Sequence, residues 1–232
     1  ADAVLTTSAY CRGAIERRYG VPARRVLLVP EGIDLPRWRR IAAAQPRTSD
    51  GATILCVARQ YPRKHIADLL RALPIVLQVV PHTRTVIIGD GPQHAALRRL
   101  AAELGLDAAV QFRGSIPDDE QVARCYRQAD IFCLPSVQEG FGIVFLEAMA
   151  SGLPIVAARA AAVPEVVPQG RAGLLVPSGD VAALAEALIE LLKNPDQRAA
   201  YGAFGQEHVA QYDWERVAGV FLDQVAPFLA RS

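Results

Sequence analysis

The chain has 232 residues and a mass of 25.0 kDa, a length that suits one large domain or one domain with additional elements. Its 25 Lys and Arg residues nearly balance its 24 Asp and Glu residues, so it lacks the basic excess of a general nucleic-acid-binding protein. Because 51% of the residues are hydrophobic, the composition also excludes an intrinsically disordered chain.

The first 45 residues predict a strand, a helix and a second strand. The strand-like sequence VLTT begins at residue 4, a helical segment covers residues 9–19, and RVLLVPEG follows from residue 25. Residues 45–52, QPRTSDGA, are polar and contain Pro, Ser and Gly, which favours a linker. We therefore expect residues 1–45 to be separate from the domain that follows.

Beyond the linker, six short apolar runs alternate with segments of helical period. This alternation is typical of a parallel sheet with crossover helices, and runs that are apolar throughout indicate strands buried on both faces. The predicted strands cover residues 53–58, 85–89, 110–113, 131–135, 154–158 and 173–176. The pattern predicts an α/β fold, a Rossmann-like parallel sheet with helices on both faces, whose ligand lies beyond the carboxyl ends of the strands.

Two helices of this domain and one after it have clear signals. One begins after Asp180, a good N-cap, and another covers residues 94–104 and stops at Gly105. Residues 211–232 predict an amphipathic helix that presents Trp214 and Phe221. This is more apolar surface than a tail needs, so we expect both ends of the chain to pack against something.

Cysteine and histidine usage points to a cytoplasmic protein without a metal. The four cysteines form no Cys-x-x-Cys pair and lie in apolar or helical segments, so they predict reduced thiols. The four histidines lack metal-ligand spacing. No apolar stretch reaches the roughly 18 residues that span a bilayer, and the first residues lack the order of a signal peptide.

The segment EGFGIVFLEAMASG, residues 139–152, is the most informative stretch. Gly140 and Gly142 flank Phe141 between a predicted strand and a helical pattern, which predicts a loop that leads into a helix N-terminus. The free N–H groups of such a first turn carry about half a positive charge, so the turn suits a diphosphate.

Two carboxylates, Glu139 and Glu147, would flank an anion held by this turn. Their spacing does not place them on one face of a single helix, so the loop would have to fold one of them back. The alternative is that both are ordinary solvated or capping carboxylates.

Arg59 and Lys64 follow the first strand of the domain in the sequence VARQYPRK. A guanidinium and an ammonium group at this edge could neutralise the same leaving diphosphate. The alternative is a solvated basic loop, since Arg63 lies there as well.

The run TVIIGDGP places Gly89 and Asp90 at the end of the second strand. It differs from a dinucleotide fingerprint, because His94 stands at the third glycine position and the loop does not follow the first strand. A nicotinamide dehydrogenase is therefore disfavoured. The loop is either a tight turn or a ligand contact.

Taken together, these segments resemble the carboxyl-terminal half of a retaining glycosyltransferase of the GT-B fold, glycosyltransferase family 4. The resemblance covers nearly the whole chain, and the order and spacing of its motifs are specific. The motifs are VPEGID (29–34), VARQYPRK (57–64), IIGDGP (87–92), FRGSIPDDE (112–120), ADIFCLPSVQEGFGIVFLEAMASGLPIVA (129–157), VPEVV (163–167) and GLLVPSGD (173–180).

The resemblance implies a domain that binds a nucleotide-sugar donor, a UDP- or GDP-sugar, with no metal and no cofactor. It implies Glu139, Arg59 and Lys64 as catalytic residues: Glu139 would contact the donor sugar, and the two cations the diphosphate. Glu147 would hold the ribose hydroxyls. The further implied donor-binding residues are Gly140, Phe141, Gly142, Ile143 and Val144 at the diphosphate, Arg113, Gly114, Ser115 and Ile116 at the base, and Gly89 and Asp90.

The sequence departs from the family pattern at three places. Glu31 stands where the family usually has Asn, His65 stands where a glycine is common, and Ala161-Ala162 replaces a glycine pair. The alanines would add bulk to the loop nearest the donor sugar, so the resemblance does not carry over a sugar preference.

Such transferases also have an amino-terminal Rossmann domain that binds the acceptor. Residues 1–45 resemble its last strand–helix–strand and the hinge, residues 46–210 the donor domain, and residues 211–232 the crossover helix. We expect a fragment whose N-terminal domain is missing or supplied by a partner chain, and which binds nucleotide better than it catalyses. The acceptor, a glycan, a lipid-linked or a small molecule, and peripheral association with the inner face of a membrane stay open.

Two other functions are compatible with the sequence. A nucleotide-sugar epimerase of the same architecture would also bind a sugar nucleotide between two Rossmann-like halves. A non-catalytic binding or interaction module would use the exposed apolar ends to join a partner chain.

Overall fold

The computed structural model describes residues 2–44 and 51–229. Near the N-terminus, strands β1 (Val4–Thr6) and β2 (Val26–Leu28) pair in parallel, and helix α1 (Ala9–Tyr19) connects them. The strand, helix and strand predicted for this region are therefore present. Most of the predicted linker, residues 45–50, lies outside the described residues.

The main sheet contains the six predicted strands, each within one residue of its expected position. They are β3 (Thr53–Val57), β4 (Arg84–Ile88), β5 (Val110–Gly114), β6 (Ile131–Leu134), β7 (Ile155–Ala158) and β8 (Gly173–Val176). All pairs are parallel, in the order β5-β4-β3-β6-β7-β8. This is the order of a doubly wound Rossmann sheet, in which the chain reverses direction of growth between β3 and β6.

Helices cover both faces of this sheet. On one side, α3 (Ile66–Val79) packs against α4 (His94–Glu103) and α8 (Val181–Lys193). On the other side, α5 (Asp119–Gln128) packs against α2 (Leu35–Ala43) and α6 (Ile143–Ala150). The short α7 (Val163–Val166) and the longer α9 (Pro195–His208) and α10 (Trp214–Leu229) follow along the chain.

Local signals explain where several helices begin and end. The Asp180 carboxylate accepts a hydrogen bond from the N–H of Ala183 and caps α8, as predicted. Gly105 adopts a φ of +68° just after α4. Helix α2 was not predicted, although Asp34 caps it through the N–H of Arg37. Its signals, Pro36 in the first turn and apolar residues Leu35, Trp38 and Ile41 at helical spacing, lie in a short segment of only nine residues.

The predicted C-terminal helix is only partly covered by the described residues. Its start is fixed because the N–H of Trp214 donates to the carbonyl of Ile33, and Gly32 lies directly under the indole ring. Val217 is buried, but the side chains of Trp214 and Phe221 stay 51% and 38% exposed. Within the described ranges, no helix is long and apolar enough to cross a membrane.

Candidate functional site

The loops after β3 and β6 meet at the carboxyl edge of the sheet, where the sequence predicts the site. Nζ of Lys64 lies 2.6 Å from Oε1 of Glu139, and the two side chains are only 15% and 9% exposed. The carbonyl of Arg63 accepts hydrogen bonds from the N–H of Val137 and the hydroxyl of Ser136. These bonds join the two loops and hold the ion pair at the point where the sheet order reverses.

The turn before α6 forms one wall of an open cleft beside this ion pair. Gly142 has a φ of +98°, and a Cβ atom there would lie 2.6 Å from the ring of Phe145, so the turn requires glycine. The cleft has a volume of about 300 Å³. Its lining residues are Thr7, Glu31, Lys64, Glu139, Gly140, Phe141, Gly142, Ile143 and Val144.

Residues of the first turn of α6 line this wall, and within the described part of the chain no side chain caps the turn. The N–H of Phe145 donates to the carbonyl of Gly142. Because Gly142 has no side chain, it cannot accept a hydrogen bond from the N–H groups of Ile143 and Val144. The turn and Lys64 therefore present hydrogen-bond donors to the same cleft, and this arrangement can hold an anion.

Two glutamates, Glu31 and Glu139, are also among the residues that line the cleft. Glu139, expected near a donor sugar, pairs with Lys64, and its backbone carbonyl accepts from the N–H of Ala162 at 3.3 Å. Ala161, the residue before Ala162, adopts a φ of +49°, which a glycine would adopt more readily. Glu31, which replaces the usual Asn of the family pattern, adds a second carboxylate to the wall.

Glu147 lies one turn further along α6, on the same helical face as Val144. Its Oε2 accepts a hydrogen bond of 2.7 Å from the hydroxyl of Tyr126. Burial raises the pKa of Glu147 above its ordinary value, and the hydrogen bond from Tyr126 acts in the opposite direction. The two predicted acids are thus placed differently, Glu139 in the cleft wall and Glu147 behind the first turn of α6.

Arg59 lies in the same loop as Lys64 but has a different environment. Its exposed guanidinium lies 5.7 Å from the ring centroid of Tyr61, and the guanidinium of Arg63 lies 4.9 Å from the same ring. Lys64 is thus the predicted cation that the structure brings into contact with Glu139. Arg59 and Arg63 are both exposed and lie over the ring of the partly buried Tyr61.

The loop with Gly89 and Asp90 has a structural explanation. A Cβ atom on Gly89 would lie 2.0 Å from the carbonyl oxygen of Ala58, so only glycine permits this approach of β4 to the end of β3. The buried Gln60 binds the loop through its side chain to the carbonyl of Gly89 and through its N–H to the carbonyl of Asp90. These residues therefore fix the two strand ends relative to each other.

The residues predicted near the base lie at the end of β5. Arg113 donates to the side chain of Gln111 and has its Nη1 3.5 Å from the sulfur of Cys125, so it is directed along the sheet towards α5. The carbonyl of Gly114 accepts from the N–H of Gly89. Of the two residues that follow, Ser115 is exposed and Ile116 is partly buried.

Sequence reasoning missed a contact that joins the N-terminal segment to the site. The carboxylate of Glu165 accepts hydrogen bonds from the N–H groups of Ala9 and Tyr10 at 2.7 and 2.8 Å, at the start of α1. Next to it, the hydroxyl of Thr7 and the sulfur of Cys11 lie 3.4 and 3.6 Å from the carbonyl of Gly140. The sequence indicated these positions only through the VPEVV motif, which contains Glu165, and through the helical segment 9–19, which begins at Ala9.

Two larger cavities lie away from this edge. One, of about 610 Å³, lies mainly at the amino ends of β3, β4 and β5 and beside α5, and Arg113, which was predicted near the base, is among its lining residues. The other, of about 760 Å³, lies between β2 and α10. We place the candidate site in the smaller cleft because ligands of doubly wound sheets bind at the carboxyl ends of the strands. Among the described residues, no group of three or more His, Cys, Asp or Glu is arranged to hold a metal ion.

Comparison with known proteins gives related transferases. The chain is 36% identical to the GDP-mannose-dependent alpha-(1-6)-phosphatidylinositol monomannoside mannosyltransferase of Mycobacterium tuberculosis (strain CDC 1551 / Oshkosh), over 96% of this chain and 61% of that protein. It is 43% identical to the phosphatidyl-myo-inositol mannosyltransferase of Mycobacterium leprae (strain TN), over 84% and 51%. It therefore spans about half to three fifths of the length of these relatives.

Solved structures agree on the fold. Sucrose-phosphate synthase from Thermosynechococcus elongatus matches with a TM-score of 0.84 and 32% identity, over 100% of this chain and 59% of the other. Anabaena HepE, solved in complex with UDP, matches with a TM-score of 0.81 and 24% identity, over 100% and 64%. The fold is thus the Rossmann-like C-terminal half of a GT-B protein, as the sequence predicted.

The match to a family model covers most of the domain described above. The model of glycosyl transferases group 1 matches residues 39–208 of this chain. That range includes both loops of the cleft, α6 with its glycine turn, and the VPEVV segment. Family model, relatives and fold lead to one conclusion: the chain belongs to the glycosyl transferases group 1.

Proposed function

We propose that the parent protein transfers a sugar from a nucleotide diphosphate sugar to an acceptor with retention of configuration, and that this chain is the donor-binding half. The observation that carries the proposal is the position of the Lys64–Glu139 pair beside the glycine turn of α6, at the reversal point of the sheet. One cleft thus contains a cation, a helix N-terminus and a carboxylate.

Charge decides where the donor groups would lie. A diphosphate is repelled by the carboxylates of Glu31 and Glu139, so it binds on the side of Lys64 and the amides of residues 142–144. Glu139 accepts hydrogen bonds, which suits sugar hydroxyl groups. When the bond between the sugar and the diphosphate breaks, its electron pair goes to the phosphate oxygen, and Lys64 and the amides stabilise the charge that develops there.

For the base and the sugar we propose guanosine diphosphate and mannose. Several relatives have names that state dependence on GDP-mannose, including the Mycobacterium tuberculosis and Corynebacterium glutamicum mannosyltransferases. Relatives are also named for inositol-containing substrates, among them the D-inositol 3-phosphate glycosyltransferase of Streptomyces scabiei. We therefore propose an inositol-containing acceptor.

We further propose that an acceptor-binding part of the parent protein packs on β1, β2 and α10. The relatives are longer than this chain, which spans 61% of one and 51% of another. Apolar side chains of Leu5, Trp214 and Leu222 stay 50%, 51% and 60% exposed on these elements. Without that part the acceptor is not positioned, so we expect this chain to bind donor nucleotides and to transfer sugar slowly.

Calorimetry with GDP, UDP and ADP tests the donor assignment. We expect GDP to bind, and to bind more tightly than the other two. Absence of binding by any of the three at millimolar concentration contradicts the donor role of this chain. Tighter binding of UDP than of GDP would keep the donor role and reject the proposed base.

A further inference from the structure

Tyr126 is a fully buried tyrosine whose hydroxyl is held between two parts of α6. It donates a 2.7 Å hydrogen bond to Oε2 of Glu147 and lies 3.5 Å from the carbonyl oxygen of Val144. Val144 belongs to the first turn of α6, which lines the cleft. The hydroxyl therefore connects Glu147 with the turn proposed to hold the diphosphate.

The ring of Tyr126 is fixed from two further elements. Trp38 of α2 meets it edge-on, with 5.4 Å between ring centroids, and Phe132 of β6 stacks on it at 5.5 Å. Aromatic contacts of this kind stabilise one ring orientation beyond the effect of burial alone. The position of the hydroxyl is thus set by the core of the domain and not by the cleft.

This hydrogen bond determines what Glu147 can offer to a ligand. An ionised carboxylate has two oxygens and about four acceptor positions, of which Tyr126 occupies one. The bond restrains rotation of the carboxylate, so its remaining acceptor positions keep a fixed direction. Two neighbouring hydroxyl groups, such as the 2′ and 3′ hydroxyls of a ribose, can donate to such a carboxylate together.

The same bond favours the ionised form of Glu147. Burial disfavours the charge, whereas hydrogen bonding to a carboxylate favours it. Without the hydroxyl of Tyr126, Glu147 would lose a donor that supports its charged state. A neutral carboxyl group accepts hydrogen bonds from a diol less strongly than an ionised one does.

We propose that Tyr126 is a positioning residue for the donor: it fixes the Glu147 carboxylate so that this group accepts both hydroxyls of the ribose of a nucleoside diphosphate. The inference rests on the donor-binding function proposed above. It adds a residue from α5, outside the cleft, to the recognition of the nucleoside.

The test compares wild type with Tyr126→Phe, which removes one oxygen and leaves the ring contacts. Calorimetry is carried out on the whole chain with GDP, with 2′,3′-dideoxyguanosine diphosphate and with inorganic pyrophosphate. We expect Tyr126→Phe to lower the affinity for GDP about tenfold, as for a lost hydrogen bond to a charged group. The affinities for the other two ligands should change less than about twofold. Tyr201→Phe, which removes a hydroxyl bonded to Gln197 on α9, is the matched control and should change none of them.

A double-mutant cycle shows whether the effect passes through Glu147. In a Glu147→Ala background, Tyr126→Phe should no longer affect GDP binding. Acidification should also weaken GDP binding at a higher pH in Tyr126→Phe than in wild type, because the substitution raises the pKa of Glu147 further. If Tyr126→Phe does not fold, Trp38→Leu is the second variant. It keeps the hydroxyl of Tyr126 but removes the edge-on contact with its ring, and we expect it to lower the affinity for GDP more than that for the other two ligands.

Four results would overturn the inference. Equal losses for GDP and the dideoxy nucleotide, or an unchanged GDP affinity, would show that Tyr126 does not act on the ribose. A full effect of Tyr126→Phe in the Glu147→Ala background would show that it does not act through Glu147. Failure of the wild-type chain to bind GDP and UDP would reject the proposed function itself, and the inference with it.

Discussion

The ammonium of Lys64 and the carboxylate of Glu139 form a 2.6 Å ion pair that joins the loops after two neighbouring strands, β3 and β6. The two side chains are 75 residues apart in the sequence. Their contact lies where the sheet reverses its direction of growth, the position at which doubly wound folds bind ligands. A diphosphate that binds there must share Lys64 with Glu139, so the pair is both a structural link and part of the candidate site.

Replacing Lys64 by Met should weaken the binding of every ligand that contains a diphosphate. We expect pyrophosphate and GDP to lose affinity by similar factors of about ten or more, because a charged donor is removed from both. Calorimetry measures this directly. Lys193→Met is the matched control, since Lys193 is exposed at the end of α8, and it should bind both ligands normally. A loss for GDP without a loss for pyrophosphate would place the diphosphate elsewhere.

The same substitution should also lower stability. Breaking a buried ion pair leaves the largely buried carboxylate of Glu139 without its cation, at a cost of up to about 3 kcal/mol. Denaturant unfolding of Lys64→Met should show this decrease. The double variant Lys64→Met/Glu139→Gln should recover part of it, and no recovery would mean that the pair does not stabilise the fold.

Glu147→Gln should stabilise the chain at neutral pH while it weakens nucleotide binding. Because the pKa of Glu147 in the folded state lies above its ordinary value of 4.5, folding takes up a proton between these two pKa values. The free energy of unfolding of the wild type therefore falls as the pH rises through that interval. Thermal unfolding at several pH values should show an advantage of Glu147→Gln that is larger at pH 7 than at pH 4.

The exposed Glu186 on α8 provides the control, since Glu186→Gln should give a difference that does not depend on pH in this way. An advantage of Glu147→Gln that is greater at pH 4 than at pH 7 would contradict the direction of the pKa shift.

Glu165→Ala should loosen the start of α1. The carboxylate holds the N–H groups of Ala9 and Tyr10, and negative charge at a helix N-terminus is stabilising as well. Hydrogen exchange followed by NMR should show faster exchange of these two amides, while amides of the main sheet keep their protection. Glu207→Ala, an exposed site on α9, should leave both amides unchanged. Unchanged protection in Glu165→Ala would mean that this contact does not hold the segment.

Gly89→Ala should be far more destabilising than Gly105→Ala, although both glycines have a positive φ. The added methyl group would lie 2.0 Å from the carbonyl oxygen of Ala58 at position 89, whereas nothing lies within 4 Å at position 105. We expect a loss of at least about 3 kcal/mol for the first and about 1 kcal/mol for the second in denaturant unfolding. Similar losses would refute the explanation of Gly89 by strand packing.

Local patterns predicted the main sheet well, because its strands are apolar runs between turn residues and are buried on both faces. Strands β6 and β7, for example, are buried at every position. The same patterns predicted the glycine turn of α6 and its position at the carboxyl edge. Parallel strands with crossover helices leave few alternatives for that placement.

Contacts between distant parts of the chain could not be predicted in this way. Glu165 accepts a hydrogen bond from the N–H of Ala9, 156 residues away. Tyr126 reaches Glu147 because the two helices that carry them pack together. The side-chain direction of Arg59 depends on the ring of Tyr61, a local choice that charge alone does not decide. The first two contacts depend on tertiary packing, which residue type and spacing do not encode locally, whereas the contact of Arg59 with Tyr61 is local.

An NMR titration of the ¹⁵N-labelled chain with GDP shows whether a diphosphate binds between Lys64 and the turn before α6. We expect the largest shifts for the amides of residues 140–144 and for Lys64, and the same set of shifts with pyrophosphate. Largest shifts around Thr53, Thr85 and Gln111, which line the cavity at the opposite ends of the strands, would contradict it.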